Sequence, residues 1–521
     1  MRAIVVMGVA VTAATLVFLS TSAPGPGLDP DSMAYMGAAS SLARDGRLRV
    51  PTAAWNRADS TSSLSLWPPG FPALIALPVA LGANPVQAAR WINIFAAAAT
   101  AGVLALIVAA PLGTWAGIVA VVVAFATQAV FDTHLSVLSE PVFIAVMLLV
   151  LAAMIHARDR LLLLGALATA AVMLRYAGVS ALAAVVLWTL LDGRRELRVR
   201  CRRALGAAVL PMLFIVIWFT RTATASDRHA TPQLHLYGDW GATLLGARDA
   251  LAEWLAPLLP DGALQRVIAL LVALALASFI VAAAVDTGGD RLHRPRVSGV
   301  ASILGASSAM GGCYLIVVLG SRAFIGGTIP LDWRILSPLI IVLEIMSVAS
   351  IAFWWRAYHL PLHATFAVFG LVWLVAAATV TANDAVYAAT VGSDFAALSW
   401  RQSPLIAWVR THGTGRPLYS NWPPALYFHA HRVARELPDS LVPGAVAGFG
   451  KRIGANHGYV VGFDERSPDF ISPAVLAARI GLRQVVRVAD GAVWTADSVA
   501  SPDSVPVGAA TPDSGVPQRP R

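Results

Sequence analysis

The sequence Leu28-Asp29-Pro30-Asp31-Ser32-Met33-Ala34-Tyr35 follows directly after the first hydrophobic segment of the chain. It places two carboxylates, Asp29 and Asp31, within a few residues of an expected membrane boundary. Carboxylates at such a boundary usually bind a cation, move a proton or act as a base. Apolar residues behind Asp31 recur at helical spacing as far as Gly46, which predicts a helix beginning near Asp31. Asp31 is therefore expected either to cap that helix or to carry chemistry.

The composition is that of an integral membrane protein. The chain has 521 residues, of which 57% are hydrophobic and 13% charged, whereas a soluble domain is about 45–50% apolar and about 25% charged. The net charge of +9 does not indicate nucleic acid, because the arginines gather in short loops between apolar segments. The two cysteines, Cys201 and Cys313, have no metal-ligand spacing and are not expected to form a disulfide.

About eleven membrane-spanning helices are predicted, since one span needs roughly 20 mostly apolar residues. The candidate spans are 3–21, 87–110, 114–131, 140–156, 160–174, 177–192, 204–220, 263–285, 298–320, 335–354 and 361–381. Loops on the cytoplasmic side are enriched in arginine, and alternate loops of this chain are arginine-rich. With a cytoplasmic N-terminus, the segments outside the cytoplasm are 22–86, 221–262, 321–334 and everything after 382. The first span is expected to be a retained anchor rather than a cleaved signal peptide.

Three regions are predicted along the chain. Residues 1–381 form a helical membrane domain, and its first outer loop, 22–86, carries interfacial helices. Residues 382–497 form a small extracytoplasmic α/β domain, with short buried strands near 417–421 and 458–463. Residues 498–521 are rich in Pro, Ser, Asp and Gly and are expected to be disordered.

Further polar motifs stand at the predicted outer ends of the spans. Trp67-Pro68-Pro69-Gly70-Phe71-Pro72 leads into an apolar segment that is too short to span, so it is expected at the membrane interface. Ala89-Arg90 follows at the start of the second span, and Leu138-Ser139-Glu140-Pro141-Val142-Phe143 lies at the end of the fourth. Asp332-Trp333-Arg334-Ile335-Leu336 precedes a late span, with Pro338 two residues on.

Taken in order, these motifs and Asp31-Ser32-x-x-Tyr35 resemble the polytopic GT-C glycosyltransferases. The most similar branch is that of the protein O-mannosyltransferases, the aminoarabinose transferases and their bacterial relatives. The similarity covers roughly residues 1–380. It implies a multi-pass enzyme of the bacterial cytoplasmic membrane that takes a sugar from a polyprenyl-phosphate carrier. The sugar would pass to a lipid, glycan or protein acceptor on the outer face, and no nucleic acid is involved.

The resemblance also implies roles for particular residues. Asp31 matches the family's first-loop aspartate by its spacing to Tyr35, so it is assigned as the general base, with Asp29 and Tyr35 beside the substrate. The family often has a second acid directly after that aspartate, where this chain has Ser32. This departure weakens the case for a bound metal, so no cofactor is predicted and a divalent metal is unsupported. Glu140 is expected either to pair with Ser139 at a helix start or to contact sugar or acceptor.

The leaving phosphate needs positive charge, and guanidinium groups hold phosphate oxygens in a bidentate manner. Arg334 is the first candidate, because it matches the family's late motif. Arg221 and Arg175 come next, although an arginine at the end of a span is often only an anchor.

Two alternative functions stay open at the sequence level: a secondary transporter, and a GT-C-like envelope protein without catalytic activity. The predicted spans are almost free of ionisable groups, whereas transporters place such groups near the bilayer midplane.

Overall fold

The structure is a computed structural model. It describes residues 2–224, 236, 238, 240–288, 295–325, 330–357, 363–439, 444–465 and 470–496. The predicted disordered tail, 498–521, lies outside the described residues. The chain forms two compact units, a membrane unit made of Met1–Gly27 with Leu64–Thr390 and a second unit made of Leu28–Ser63 with Val391–Arg521.

Helices dominate both units. The first fifteen are α1 (Arg2–Ser20), α2 (Pro30–Asp45), α3 (Gly70–Ala80), α4 (Pro85–Leu112), α5 (Thr114–Ala126), α6 (Gln128–Leu135), α7 (Glu140–His156), α8 (Leu161–Leu174), α9 (Val179–Leu190), α10 (Leu197–Thr224), α11 (Gly241–Leu255), α12 (Ala263–Gly288), α13 (Pro295–Phe324), α14 (Trp333–Ala357) and α15 (His363–Thr390). The last five are α16 (Leu398–Arg401), α17 (Pro404–His412), α18 (Pro423–Ala425), α19 (Ala445–Asn456) and α20 (Pro473–Ile480).

The predicted class of multi-pass helical membrane protein is confirmed. Among the described residues, the helices long and apolar enough to cross a membrane number seven: α1, α4, α10, α12, α13, α14 and α15. Helices α5 and α6 make an eighth span if they are taken together across a bend of 67°. The predicted count of eleven also needs the shorter apolar helices α7, α8 and α9 to cross, so that number stays a prediction.

Small residues let the helices of the membrane unit pack closely. Helix α4 contacts α1, α5 and α7, and its Ala97 and Ala101 have no exposed surface. Small side chains allow close backbone approach inside a membrane, where packing rather than the hydrophobic effect drives helix association. The alanine-rich composition of the spans therefore favours a tight bundle.

Gly70 of the Trp-Pro-Pro-Gly motif fixes the start of α3 against the end of α8. A Cβ atom at this position would lie 2.5 Å from the carbonyl oxygen of Met173, which is closer than real Cβ contacts allow. Only glycine therefore permits this approach, two residues before Arg175.

The second unit is built around a five-stranded mixed sheet. Its strands are β3 (Leu418–Ser420), β4 (Arg435–Glu436), β5 (Tyr459–Phe463), β6 (Arg483–Val488) and β7 (Gly491–Thr495), in the order β4-β3-β5-β7-β6. Strand β3 runs parallel to β4 and β5, whereas β7 is antiparallel to β5 and β6. Strands β3 and β5 correspond to the two strands expected from sequence, and the small C-terminal sheet is confirmed.

The first loop of the chain contributes to the second unit. Helix α2 and a short hairpin, β1 (Arg49–Val50) with β2 (Ser62–Ser63), belong to it. Trp55 packs edge-on against the buried Phe449 at a ring-centroid distance of 5.9 Å, and the Thr52 hydroxyl donates to the Ala434 carbonyl at 3.2 Å. Residues 28–63 thus fold with the C-terminal region, where the sequence had placed them in the membrane domain.

The division at the C-terminal side also differs from the predicted one. Helix α15 continues to Thr390, and the second unit resumes at Val391. The predicted boundary between residues 381 and 382 lies inside this helix. Apolar composition falls off before helical structure does, because Asn383 and Asp384 end the hydrophobic run but not the helix.

Candidate functional site

Asp29, rather than Asp31, caps helix α2. The Asp29 carboxylate accepts a hydrogen bond from the Asp31 amide at 3.0 Å, and the Ser32 hydroxyl accepts one from the Asp29 amide at 2.9 Å. This reciprocal pair is a capping box, and it satisfies two amide groups that would otherwise lack partners. The expected capping role of Asp31 is therefore wrong. Pro30 occupies the first helical position, so the residue before it, Asp29, becomes the cap.

The structure explains why serine can stand at position 32, where the similar family often has a second acid. Its side chain has no exposed surface, and its hydroxyl completes the capping box. A carboxylate there would be buried, and burying a charge costs more than burying a hydroxyl group. Asp31 itself is half-buried in the first turn of α2, where the helix dipole favours a negative charge. Tyr35, one turn further on, is 2% exposed.

In the membrane unit, three predicted site residues come together as the Glu140 cluster, defined as Glu140, Arg175 and Arg334. One carboxylate oxygen of Glu140, Oε1, lies 2.6 Å from Nη1 of Arg175 and also accepts a hydrogen bond from Nε of Arg334. The Ser139 hydroxyl donates to the other carboxylate oxygen at 3.3 Å and accepts from Arg175 at 3.2 Å. Two guanidinium groups thus surround one carboxylate, which leaves the cluster with a net charge of about +1.

The three residues of the cluster come from three different backbone environments. Glu140 is the first residue of α7, and Arg175 stands in extended conformation between α8 and α9 (φ −149°, ψ 145°). Arg334 lies in the first turn of α14, where the Asp332 carboxylate caps the helix through the Ile335 amide at 2.9 Å. The Tyr314 hydroxyl of α13 donates to the Ile335 carbonyl at 2.7 Å, which ties this turn to the bundle.

The side chains of the Glu140 cluster differ in their exposure to solvent, and this difference indicates their roles. The Glu140 side chain is 1% exposed, while Arg175 is 18% and Arg334 is 20% exposed. A buried carboxylate held by two arginines is suited to orienting them rather than to taking a proton. The partly exposed guanidinium groups are suited to binding an anion such as phosphate.

Arg221 is not part of the Glu140 cluster. Its guanidinium lies 4.7 Å from the ring centroid of Trp218, and its Nη1 atom is 3.4 Å from the Leu64 carbonyl oxygen. Trp218 donates in turn to the Tyr176 hydroxyl at 3.0 Å. Arg221 lies at the end of α10. Trp218 and Tyr176 connect it to Arg175, because Tyr176 follows Arg175 directly in the sequence.

Two buried ionisable residues lie within the spans, of which the sequence motifs had included Arg90 but not Glu344. Arg90 of α4 donates to the Phe18 carbonyl and the Thr21 hydroxyl, at 2.9 Å and 3.0 Å, and so binds the end of α1. Glu344 of α14 is 3% exposed and accepts hydrogen bonds from Thr127 and Trp254. Glu344 is a lone charge in an apolar segment, and that signal could have identified it.

Among the described residues, no three His, Cys, Asp or Glu side chains lie together in a way that could hold a metal ion. Of the carboxylates noted above, Asp29 and Asp332 accept from backbone amides, Glu140 contacts two arginines and a hydroxyl group, and Glu344 accepts from a hydroxyl and an indole group.

Comparison of the structure with solved structures identifies its fold. An oligosaccharyltransferase from Archaeoglobus fulgidus, solved in complex with Zn and sulfate, matches with a TM-score of 0.52 at 12% identity, over 87% of this chain and 68% of that one. The arabinofuranosyltransferase AftD from Mycobacteria matches with a TM-score of 0.51 at 14% identity, over 94% of this chain and 41% of that one. ArnT from Cupriavidus metallidurans, bound to undecaprenyl phosphate, gives a TM-score of 0.46 at 14% identity, over 95% and 98% of the two chains.

At the level of sequence, no protein-family model matches the chain, and no curated protein matches it either. The oligosaccharyltransferase and AftD, which both match above a TM-score of 0.5, are GT-C glycosyltransferases. The protein therefore has the GT-C glycosyltransferase fold, and the resemblance found in the sequence motifs is confirmed as a likeness of fold.

Proposed function

We propose that the protein is a membrane glycosyltransferase that moves a sugar from a polyprenyl-phosphate donor to a lipid, glycan or protein acceptor. It would act on the outer face of a bacterial cytoplasmic membrane, with Asp31 as the general base. The observation that carries the proposal is the Glu140 cluster, since it places a fixed pair of arginines in a fold shared with glycosyltransferases.

The cluster matches the demand of the leaving group. When a sugar leaves a polyprenyl phosphate, negative charge develops on the phosphate oxygens, and preoriented donors stabilise that charge most effectively. Arg175 and Arg334 are oriented by Glu140 before any substrate binds. Removing one such donor typically lowers kcat about 10²–10³-fold. Arg221, held over Trp218, is proposed to contact substrate rather than the transferring phosphate.

The capping box supports the assignment of Asp31 as the base. Because Asp29 and Ser32 satisfy the helix start, the Asp31 carboxylate is not required as a cap. An acceptor hydroxyl attacking the anomeric carbon must lose its proton, and a carboxylate within hydrogen-bond reach can take it. Asp29 and Tyr35 would then hold the position of Asp31, Asp29 through its bond to the Asp31 amide.

The direct test is a transfer assay with the purified full chain in lipid nanodiscs. A panel of radiolabelled polyprenyl-phosphate sugars serves as donors, and label is followed into lipid, glycan and protein fractions. Asp31→Asn is expected to lower the rate about 10²-fold or more, and Arg334→Gln by a similar factor. Asp45→Asn is the matched control, since Asp45 is an exposed acid at the other end of the same helix.

Mass spectrometry of envelope glycolipids and glycoproteins from a deletion strain identifies the missing product. Full transfer by Asp31→Asn would rule out the base assignment. Donor uptake into vesicles without sugar transfer would instead favour the transporter alternative. We expect transfer to persist in EDTA, because the two arginines supply the positive charge at the leaving group.

A further inference from the structure

A basic cavity lies in the membrane unit, away from the Glu140 cluster. It has a volume of about 310 Å³ and opens among the loop after α7, the end of α9 and the starts of α10 and α13. The residues that matter for its chemistry are Arg158, Trp188, Leu191, Arg194 and Arg203. The volume is at the lower end of the range for ligand pockets, about 300–1,000 Å³.

Two acids beside this cavity, Asp159 and Asp192, are paired with arginines other than Arg158 and Arg194. Asp159 forms ion pairs with Arg195 at 2.8 Å and with Arg203 at 2.7 Å. Asp192, which lines the cavity, pairs with Arg195 at 3.3 Å. These contacts neutralise much of the charge of Arg195 and Arg203.

Two arginines of the lining are left over. Within the part of the chain that the structure describes, the guanidinium groups of Arg158 and Arg194 have no hydrogen-bond or ion-pair partner. Two positive charges facing one cavity repel each other, and an anion between them removes that repulsion. Guanidinium groups bind phosphate oxygens with particularly good geometry.

Apolar side chains border the same opening. Leu191 lines the cavity and is 64% exposed, and Leu187, one turn earlier on α9, is 39% exposed. Exposed leucines on a membrane helix face acyl chains, whereas the arginines belong at headgroup level. The cavity therefore combines a phosphate-binding end with an acyl-binding edge.

We propose that this cavity binds the phosphate headgroup of an anionic phospholipid, with Arg158 and Arg194 as its ligands and an acyl chain along Leu187 and Leu191. Basic pockets between transmembrane helices bind such headgroups in other membrane proteins. The site lies on the arginine-rich face that the sequence predicts to be cytoplasmic, and it does not depend on the proposed function.

The test measures binding of short-chain phosphatidylglycerol to the full chain in detergent by native mass spectrometry. Arg158→Gln with Arg194→Gln is expected to weaken binding at least about tenfold, because two charge-assisted contacts are lost. The matched control is Arg160→Gln with Arg198→Gln, which removes the same charge from exposed arginines outside the cavity. The control pair is expected to bind within about twofold of the unaltered protein.

A second double variant and two other ligands are measured in the same experiment. Arg158→Lys with Arg194→Lys preserves charge and folding but not bidentate geometry, so intermediate affinity is expected. Phosphatidylcholine and inorganic phosphate are titrated in parallel. Equal weakening by the control pair, equal binding of phosphatidylcholine, or tighter binding of inorganic phosphate than of the lipid would each overturn the proposal.

Discussion

At the scale of single residues, Glu140 determines how two arginines are held. Its carboxylate is almost fully buried and carries the only negative charge of the cluster. Removing one partner from a buried ionic cluster usually costs about 3–5 kcal/mol, since the remaining charge stays buried and unpaired. The two arginines are partly exposed, so the loss here should fall at the lower end of that range.

We expect Glu140→Gln to lower the thermal unfolding temperature of the full chain in detergent, because glutamine keeps the shape but removes the negative charge that pairs with both guanidinium groups. Sugar transfer should fall as well, since the arginines lose their fixed orientation. Asp45→Asn is the control, because its exposed pair with Arg44 spans 4.0 Å and contributes little. An unfolding temperature equal to that of the unaltered protein would contradict the orienting role of Glu140.

A second residue-scale prediction concerns pH and His429 in the second unit. Its Nε2 atom lies 2.6 Å from the Phe395 carbonyl oxygen, yet burial lowers the pKa of this histidine below its usual value. The unfolded chain therefore binds a proton at His429 before the folded chain does. The contribution to stability is present above the unfolded pKa of about 6.5 and is lost as the pH falls below it.

Thermal unfolding measured between about pH 8 and pH 5.5 checks this sign. The unaltered protein should lose more stability on acidification than His429→Gln, in which an amide still donates to Phe395 without taking up a proton. His412→Gln is the control, since it makes the same substitution at an exposed histidine of α17. If His429→Gln lost more stability on acidification than the unaltered protein, the proposed effect of His429 would be contradicted.

At the scale of elements, helix α2 is fixed by close packing as well as by its capping box. A Cβ atom added at Gly37 would overlap Cδ of the Pro51 ring, and a proline ring cannot rotate away. Overpacking of this kind typically costs about 1–3 kcal/mol. Because α2 carries Asp31, a shift of this helix would also move the proposed base.

Gly37→Ala should therefore lower both the unfolding temperature of the full chain and its rate of sugar transfer. Gly454→Ala provides the comparison, since a Cβ at Gly454 in helix α19 meets nothing within 4 Å. That change should be neutral or stabilise by up to about 1 kcal/mol, the helix-propensity gain of alanine over glycine. Equal behaviour of the two variants would show that α2 can move away from Pro51.

The apolar pattern of a segment does not by itself decide which strands could be predicted, since β7 is fully buried and was not predicted. Strands β3 and β5 were predicted because Leu418–Ser420 and most of Tyr459–Phe463 are buried runs. Strand β6 was not predicted, since it is largely exposed and Arg483 and Arg487 interrupt its pattern. The pairing of residues 28–63 with the C-terminal region was also beyond sequence, because no local pattern encodes contacts across more than 300 positions.

The candidate site shows the same limit. Glu140, Arg175 and Arg334 were each identified from local motifs or from the ends of spans, and the structure adds that one carboxylate oxygen holds both arginines. No spacing rule could supply that contact, because the three residues lie on α7, α14 and the break before α9. Their convergence is a property of helix packing.

At the scale of the whole molecule, the open question is how many helices cross the membrane. Helices α7 and α8 have 17 and 14 residues, or about 26 Å and 21 Å at 1.5 Å per residue. Both are shorter than a hydrocarbon core of about 30 Å. If α7, α8 and α9 do cross, the chain has eleven spans and the bilayer is locally thinned or the ends snorkel. If they do not, and α5 and α6 together make one span, the described residues give eight.

The two counts place Cys201 and the C-terminal region on opposite sides of the membrane. With a cytoplasmic N-terminus and eleven spans, six spans precede Cys201, which is then cytoplasmic, and Thr414 lies outside. With eight spans, three precede Cys201, so the two positions exchange sides. Both positions are exposed. The arginines around Cys201 favour the cytoplasmic side for it, which agrees with eleven spans and not with eight.

Labelling of intact cells with a membrane-impermeant maleimide decides between these topologies. Cys313→Ala leaves Cys201 as the only thiol, and it should react only after the cells are permeabilised. Thr414→Cys, combined with Cys201→Ser and Cys313→Ala, should react in intact cells. The variant with both native cysteines replaced and none added gives the background.

Labelling of Cys201 in intact cells together with protection of Thr414→Cys would establish the eight-span topology, and it would place the sheet of the second unit in the cytoplasm. The lipid cavity at Arg158 and Arg194 would then face outward, so the same experiment also fixes the leaflet from which its phospholipid must come.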